Sequence, residues 1–306
     1  MKKQHAVSLL PAALLLFALT ACGGEAPAPA EAPEAADSAL AAPYYLAFAP
    51  GETAERDIDG DGEAEEIRLW LEDAGDYAAN VRLTVNGADL SEALAEERGF
   101  SFDYPDEGCW LLTDLDAGDG SVEIAVQDWG PSNDLNTSFY RYADGALQFV
   151  GQTEGFVCWN GAPADVSFDG AGTVRSYLRL DVLQTWWGKA DSALGENGVL
   201  VLLPQEYYES TLPCEDFQSD VEIPQQVTVT GDLYGYDAPG GQRDLLPAGT
   251  ELALLGTDNE EWVRARLAEE ETELWLHLDP ESPFYVEGPD GFVEGWEALD
   301  GLCMAD

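Results

Sequence analysis

Apolar and polar residues alternate with a period of two in many short segments of this chain. Residues 67–71 (Ile-Arg-Leu-Trp-Leu) and 81–85 (Val-Arg-Leu-Thr-Val) are the clearest examples. Because successive side chains of a strand point to opposite faces, such a segment buries one face and exposes the other. The pairs Asn86-Gly87 and Asp144-Gly145 follow apolar segments, and such pairs are typical of two-residue hairpin turns.

Further short apolar runs occur at 110–113, 122–126, 138–142, 147–150 and 174–180. Helical periodicity is scarce. Residues 90–97 form one short segment with a clear helical period, and residues 208–212 form another in which the period is poor. Many short strands separated by Gly, Asp and Pro turns predict an all-β protein. A polar, proline-containing segment at 212–224 predicts the boundary between two domains, 43–222 and 223–306.

The first 21 residues have the pattern of an export signal. Two lysines precede an apolar run at 8–19, which is shorter than the ~20 residues that a membrane-spanning helix needs. The run ends in Leu-Thr-Ala-Cys at 19–22, which resembles a bacterial lipobox. The resemblance implies that Cys22 is lipidated and anchors the mature chain to the extracytoplasmic face of the cell membrane. The alternative is an ordinary cleaved signal in which Cys22 plays no part.

Composition predicts a tether and limits the classes of partner. Residues 22–42 are rich in Ala, Pro and Glu and predict an extended tether between the anchor and the folded part. The chain has 60 acidic and 13 basic residues, which gives a formal net charge of −47. Because phosphate contacts need basic side chains, this charge argues against nucleic acid as a partner and favours the binding of cations.

An acidic loop at 57–62 carries the strongest chemical pattern. It reads Asp-Ile-Asp-Gly-Asp-Gly, with acids at positions one, three and five and a glycine at six for the turn. This spacing predicts a Ca²⁺ site. The candidate ligands are Asp57, Asp59, Asp61, Glu63 through its main-chain carbonyl, and Glu65. An EF-hand would need an acid at position twelve, where Arg68 stands, and the alternative reading is a solvated turn.

A partial echo of this loop begins at Asp114. Residues 57–67 and 114–124 both start with an acidic loop and end in Glu-Ile at the start of a strand. The second loop is one residue longer, so a bulge is needed to bring its carboxylates together, and the alternative is a plain turn. The candidate ligands of a second metal ion are Asp114, Asp116, Asp119 and Glu123. An eroded third copy at 168–174 is expected to be a turn.

The acidic loops resemble the FG-GAP/VCBS repeats of bacterial surface proteins, over residues 45–205. In that family such a loop holds Ca²⁺ between two strands, and many copies close into a β-propeller. Two or three copies cannot close a ring of blades. The resemblance therefore implies a reduced fold of a few antiparallel sheets packed face to face, stabilised by structural Ca²⁺.

Residues 223–306 resemble a bacterial SH3-like domain. The resemblance rests on a Pro-Ala-Gly-Thr turn at 247–250, an apolar strand at 252–255, and a Trp-Val segment at 261–266 that pairs with a tryptophan-containing segment at 273–277. It implies a small barrel that binds wall peptides or other proteins. The candidate ligand groove consists of Tyr234, Tyr236 and Trp262. The alternative for these rings is packing within the core.

Cysteine and histidine give weaker indications. Besides Cys22 there are four cysteines, at positions 109, 158, 214 and 303. In an exported chain they could form two disulfides, with Cys109–Cys158 as the first guess, or they could be buried thiols. His277 is the only histidine after the signal segment, and no nucleophile, zinc-protease or phosphate-loop motif occurs in the sequence.

Together these patterns predict a calcium-stabilised, non-enzymatic lipoprotein that binds cell-wall material or a protein or peptide partner. The alternative is a surface hydrolase that acts on glycans through a pair of acidic residues. Acidic residues are abundant throughout the chain, so the sequence singles out no particular pair.

Overall fold

The computed structural model describes residues 39–75, 78–98, 102–103, 110–129, 135–159, 162–213, 225–268, 270 and 272–303. Nearly all of the regular structure in these residues is β-strand, which confirms the predicted all-β class. The predicted signal segment, Cys22 and most of the predicted tether lie outside the described residues.

The first ten strands and one helix cover the amino-terminal half. They are Tyr45–Phe48 (β1), Thr53–Arg56 (β2), Glu65–Gly75 (β3), Ala78–Val85 (β4), Ala88–Asp89 (β5), Ser91–Arg98 (α1), Phe102–Asp103 (β6), Trp110–Thr113 (β7), Glu123–Trp129 (β8), Leu135–Ala143 (β9) and Ala146–Glu154 (β10). Helix α1 confirms the short helix expected at 90–97, displaced by one residue.

The remaining elements follow in two groups. The middle group is Cys158–Trp159 (β11), Ala162–Pro163 (β12), Ser167–Phe168 (β13), Thr173–Val182 (β14), Gln184–Leu194 (β15), Leu200–Leu202 (β16) and Tyr208–Pro213 (β17). The last group is Gln225–Val229 (β18), Leu233–Tyr236 (β19), Arg243–Leu246 (β20), Glu251–Thr257 (β21), Trp262–Leu267 (β22), Glu273–Asp279 (β23), Ser282–Gly288 (β24), Gly291–Glu294 (β25), Gly295–Ala298 (α2) and Leu299–Asp300 (β26).

One antiparallel unit occurs three times in the part of the chain that the structure describes. In each unit a short strand runs into a loop, and the longer strand that follows the loop pairs antiparallel with it. A third strand then pairs antiparallel with the longer strand. The three units are β2–β3–β4, β7–β8–β9 and β13–β14–β15. The first two loops are the acidic loops at 57–62 and 114–122, and the third lies at 169–172.

The alternating pattern of the sequence is realised in β3. Ile67 and Leu69 are buried in the core, whereas Glu66 and Arg68, which alternate with them, are exposed. The predicted hairpin turns also form, because Asn86 and Gly87 have φ values of +50° and +77°. Both residues of a tight two-residue hairpin need positive φ, which Asn and Gly tolerate best.

The carboxyl-terminal strands form a second run of antiparallel pairs, in the order β26–β18–β21–β22–β23–β24–β25. Strand β19 pairs with β20 and meets β23 at one register position. The predicted pairing of 261–266 with 273–277 is thus confirmed as β22 with β23. The turn at 247–250 forms as well, with the Thr250 amide donating to the Pro247 carbonyl at 3.1 Å.

Packing continues from the middle strands into the carboxyl-terminal ones. Leu180 and Trp186 belong to the same buried cluster as Val227, Leu252 and Val263. Strand β17 pairs with β15 on one side and with β21 on the other. The predicted domain boundary at 222/223 falls in 214–224, outside the described residues, and stays a prediction.

Two sequence expectations change at the level of single elements. The pattern at 208–212 predicts a short helix, but these residues lie in strand β17, because pairing with β15 and β21 outweighs a short helical pattern. Leu40 lies within the predicted tether, yet it is 7% exposed and packs in the amino-terminal core. The folded region therefore begins at least as early as Leu40.

The guessed Cys109–Cys158 disulfide is wrong, because Cys158 is a buried thiol. Its neighbours explain the burial: Cys158 packs in a cluster with Val157 and Val166, where a small apolar side chain fits. Cys303, in contrast, is disulfide-bonded. Cys109 and Cys214 lie outside the described residues.

Candidate metal centre

The first acidic loop joins β2 to β3 and is fixed at both ends by buried groups. Asp57 is 3% exposed and Glu65 is 4% exposed, although both carry carboxylates. Ile58 is fully buried between them and ties the loop to the amino-terminal core. Burial of an ionised carboxylate is costly unless it is hydrogen-bonded or paired with positive charge. The loop therefore concentrates negative charge in a place where water compensates it poorly.

Three aspartates of this loop converge. One carboxylate oxygen from each of Asp57, Asp59 and Asp61 lies within 4.8 Å of the others. Asp57 is buried, Asp59 is half-buried and Asp61 is exposed, so the cluster leads from the core to the surface. Among the described residues, this is the one group of three acidic, histidine or cysteine side chains with such spacing.

Main-chain amides hold the aspartates in this arrangement. Asp57 accepts bonds from the Gly60 amide at 2.8 Å and from the Gly62 amide at 3.0 Å. Asp59 accepts the Asp61 amide at 3.2 Å. The Asp61 amide bonds to Asp59 Oδ1, and no described residue forms a hydrogen bond with Asp59 Oδ2. The loop thus keeps carboxylate oxygens available to a cation.

Glu65, the fourth predicted side-chain ligand, is a buried neighbour of this cluster but not one of its three converging members. Its Oε2 accepts the Ile58 amide at 3.0 Å. Burial raises the pKa of the Glu65 carboxyl, and Asp59, Asp61 and Asp57 raise it further through their negative charge. The charged groups that act most strongly on Glu65 are therefore all negative. A bound cation would offset their repulsion of the Glu65 carboxylate.

Glu63 enters the loop through its main chain. Its amide donates to Asp61 Oδ1 at 2.7 Å, and its side chain is exposed. The predicted role of the Glu63 carbonyl as a ligand stays a prediction. Gly62 has a φ of +90°, as expected for the turn position of such a loop.

The second loop arranges its acids differently. Asp114 is fully buried, and its Oδ2 accepts the Leu40 amide at 2.7 Å. Asp116 accepts the Gly118 amide at 3.0 Å. Glu123 is fully buried and is paired with Arg141. The structure does not bring these acids into a compact group of the kind seen at 57–61.

Arg141 is the residue that sequence reasoning missed. Its guanidinium contacts Asp119 Oδ2 at 2.9 Å and also bonds to Glu123. Arg141 lies 18 residues beyond Glu123 in the chain, so no local sequence motif indicates the pairing. The register of β8 with β9 places Arg141 on the same face of the sheet as Glu123.

The first two loops touch each other directly. The Val122 amide donates to the Ile58 carbonyl at 3.0 Å. Gly60 packs so closely on Gly120 that a Cβ on Gly60 would lie 2.7 Å from the Gly120 carbonyl oxygen. A side chain at position 60 is therefore excluded by the neighbouring loop, in addition to its positive φ of +77°.

The third loop contacts the second through main-chain hydrogen bonds. The Ala117 amide donates to the Gly170 carbonyl at 3.1 Å, and the Gly172 amide donates to the Leu115 carbonyl at 2.8 Å. Asp169 caps its own loop by accepting the amides of Ala171 and Thr173. The third loop is a turn, as expected, and it contacts the second loop as the second contacts the first.

The predicted groove residues lie in an aromatic cluster in the carboxyl-terminal part. The rings of Tyr236 and Trp262 meet edge to face at 5.1 Å, and both residues are 9% exposed. The Trp262 ring also stacks on His277 at 4.5 Å. Tyr234 is half-buried beneath the guanidinium of Arg243, which lies 4.0 Å from the ring centre. Tyr236 and Trp262 therefore pack mainly against neighbours, and Tyr234 keeps more of its surface accessible.

The half-buried carboxylate of Glu287 connects three side chains of this cluster. Glu287 accepts the Tyr236 hydroxyl at 2.6 Å, lies 2.7 Å from His277 Nδ1 and pairs with Arg243. Partial burial acts to raise the pKa of Glu287, but the bonds from Tyr236 and His277 and the charge of Arg243 outweigh it and lower the pKa. The sequence identified the rings but not the carboxylate that joins them.

Comparisons with protein family models, with curated proteins and with solved structures find no match to this chain. The resemblances to FG-GAP/VCBS repeats and to SH3-like domains therefore rest on the quoted residues. In the part of the chain that the structure describes, no helix is long and apolar enough to cross a membrane.

Proposed function

We propose that this chain is a non-enzymatic, lipid-anchored lipoprotein of the extracytoplasmic face of the cell membrane. In this proposal, the first acidic loop binds one structural Ca²⁺, and the folded part binds a cell-wall component or a protein or peptide partner. The observation that carries the calcium site is the convergence of Asp57, Asp59 and Asp61 next to the buried Glu65.

The donor set of this loop suits Ca²⁺ best. All four side chains offer carboxylate oxygens, which hard cations prefer, and thiolate or imidazole ligands typical of zinc are not among them. Ca²⁺ accepts several carboxylates in an irregular shell, whereas Mg²⁺ retains most of its water. Asp57, Asp59, Asp61 and Glu65 would hold the ion, and the ion would supply the positive charge that this cluster lacks.

Cysteine chemistry supports the proposed location. Cys303 is disulfide-bonded, and disulfides persist mainly in exported proteins because the cytosol keeps thiols reduced. The lipid anchor itself rests on the Leu-Thr-Ala-Cys segment ending at Cys22. Mass spectrometry of the protein purified from membranes tests the anchor, because the proposal expects a diacylglyceryl group on Cys22.

Thermal unfolding tests the ion. Saturating Ca²⁺ should stabilise the full chain in detergent by about 2.7 kcal/mol at a hundredfold excess over Kd, which corresponds to a Tm rise of roughly 5–10 °C. Asp59→Ala should abolish the rise. Glu196→Gln, which changes an exposed acid away from the loop, should preserve it. An equal rise in Asp59→Ala would contradict a site in this loop.

The binding surface is best tested at Tyr234, the more accessible of the predicted groove residues. Sedimentation of the purified chain with isolated cell walls distinguishes wall material from a protein partner. If the groove binds wall material, Tyr234→Ala should reduce the sedimented fraction severalfold without lowering Tm. Unchanged sedimentation of this variant would place the wall-binding surface elsewhere.

A further inference from the structure

The first and second acidic loops share one defining bond. In the first loop the Ile58 amide donates to the Glu65 carboxylate at 3.0 Å, and in the second the Leu115 amide donates to the Glu123 carboxylate at 3.2 Å. Each amide belongs to the residue that follows the first aspartate of its loop. Glu123 is therefore the structural equivalent of Glu65, and the additional residue of the second loop is accommodated between Leu115 and Glu123.

The two loops differ in what surrounds this equivalent glutamate. Arg141 Nε lies 3.0 Å from Glu123 Oε1, and Arg141 Nη2 lies 2.9 Å from Asp119 Oδ2. The Glu123 side chain is fully buried, and the Arg141 side chain is 21% exposed. The guanidinium thus joins the closing glutamate to the last aspartate of its loop, as a bound cation would.

Strand register explains why the arginine can reach the second loop. In the β8–β9 pair, Ile124 lies across from Tyr140. The next position along the same register sets Glu123 across from Arg141. Side chains of such a cross-strand pair lie on one face and close together, which agrees with the observed contact between the two side chains.

The third strand of the first unit has no side chain to offer at this position. In the β3–β4 pair, Ile67 lies across from Val85, so the same register sets Glu65 across from residue 87. That residue is Gly87, in the turn after β4. Strand β9, in contrast, continues to Ala143 before it turns. The greater length of β9 therefore supplies a positive charge that β4 cannot supply. On the other side of β3, Arg56 of β2 stands across from Glu65, but its guanidinium donates to the Ala39 carbonyl at 2.7 Å and is not among the groups that shift the pKa of Glu65.

We infer that Arg141 is the resident counter-ion of the second loop, and that it decides which of the two loops takes a metal ion. The second loop then folds without metal, and the chain binds one Ca²⁺, at the first loop. The assignment of that ion rests on the proposed function; the role of Arg141 at Glu123 does not. A positively charged side chain and a bound ion would compete for the same carboxylates.

Calcium titration of the full chain by calorimetry, after removal of divalent ions with a chelator, tests the metal assignment. The wild type should bind one ion and Asp59→Asn none. An ion that Asp59→Asn retains and that Glu123→Gln then removes would overturn the inference. If the wild type binds no ion, the proposed function of the first loop fails, and the role of Arg141 is decided by the unfolding experiment.

Unfolding in chelator tests the counter-ion role without reference to calcium. Removal of one partner of a buried ion pair is far more costly than removal of both. Arg141→Gln should lower Tm by about 6–10 °C, whereas Glu123→Gln combined with Arg141→Gln should recover at least half of that loss. Arg141→Lys, which keeps the charge, should lose less than Arg141→Gln.

The double variant decides the outcome if Arg141→Gln does not fold. A folded Glu123→Gln/Arg141→Gln chain supports the counter-ion role, because it shows that the cost came from the unpaired charge of Glu123. A double variant that is no more stable than Arg141→Gln would contradict it and would assign Arg141 to packing alone.

Discussion

Gly60 of the first acidic loop and Gly120 of the second meet backbone to backbone, so a Cβ atom on Gly60 would lie 2.7 Å from the Gly120 carbonyl oxygen. This contact, together with the bond from the Val122 amide to the Ile58 carbonyl, makes the acidic loops one packed layer. A substitution that alters the backbone of one loop should therefore disturb the packing of the other.

Substitution of Gly60 by alanine should destabilise the chain more than the same change in an open turn. Gly87 is the matched control, because both glycines have a φ of +77° and nothing lies within 4 Å of a Cβ at Gly87. The left-handed backbone costs alanine about 1–2 kcal/mol at either position. The close approach should add to this at Gly60 alone. Urea unfolding measures both variants, and equal losses would show that the two loops are not in contact.

Leu40 should contribute to stability although it lies in an Ala- and Pro-rich segment. It is 7% exposed, packs in the amino-terminal core and donates its amide to Asp114. Leu40→Ala should cost about 2–3 kcal/mol. Leu46→Ala, at a site that is 42% exposed, should cost less than about 1 kcal/mol. Urea unfolding compares the two, and similar small losses would show that the segment before residue 43 does not dock.

Glu287 should make stability depend on pH. Its folded pKa is lowered below the ordinary value of 4.5 by the bonds from Tyr236 and His277 and by the charge of Arg243, against the effect of partial burial. A carboxyl with a depressed folded pKa stabilises above its unfolded pKa, and this stabilisation is lost as the pH falls through the folded pKa.

Glu287→Gln should therefore cost about 1–2 kcal/mol near neutral pH and progressively less below about pH 4. Asp290→Asn, an exposed acid nearby, serves as the control and should have little effect at any pH. Thermal unfolding across the acid range measures both. A cost for Glu287→Gln that does not change with pH would mean that its charge is not what holds the cluster.

Local patterns predicted the strands and the tight turns because those depend on neighbouring residues. The alternation at 67–71 and the pairs Asn86-Gly87 and Asp144-Gly145 each specify their own backbone, and both pairs adopt positive φ. The spacing of Asp57, Asp59 and Asp61 likewise specifies a loop that gathers carboxylates. These features need no information from the rest of the fold.

The features that sequence reasoning missed depend on contacts between distant segments. Comparison of 57–67 with 114–124 aligned Glu123 with Glu66, whereas the shared amide bond aligns it with Glu65. The pairing of Arg141 with Glu123 follows from the register of β8 and β9, which only the folded sheet reveals. The burial of Leu40 follows from an acceptor on Asp114, 74 residues away.

The most direct test of the central claim is a crystal structure of the chain grown in Ca²⁺, with an anomalous difference map recorded at long wavelength. The account predicts one strong peak bounded by carboxylate oxygens of Asp57, Asp59, Asp61 and Glu65, and no peak beside Arg141. A map with no peak at the first loop, in crystals that diffract well enough to show ordered sulfur atoms, would contradict it.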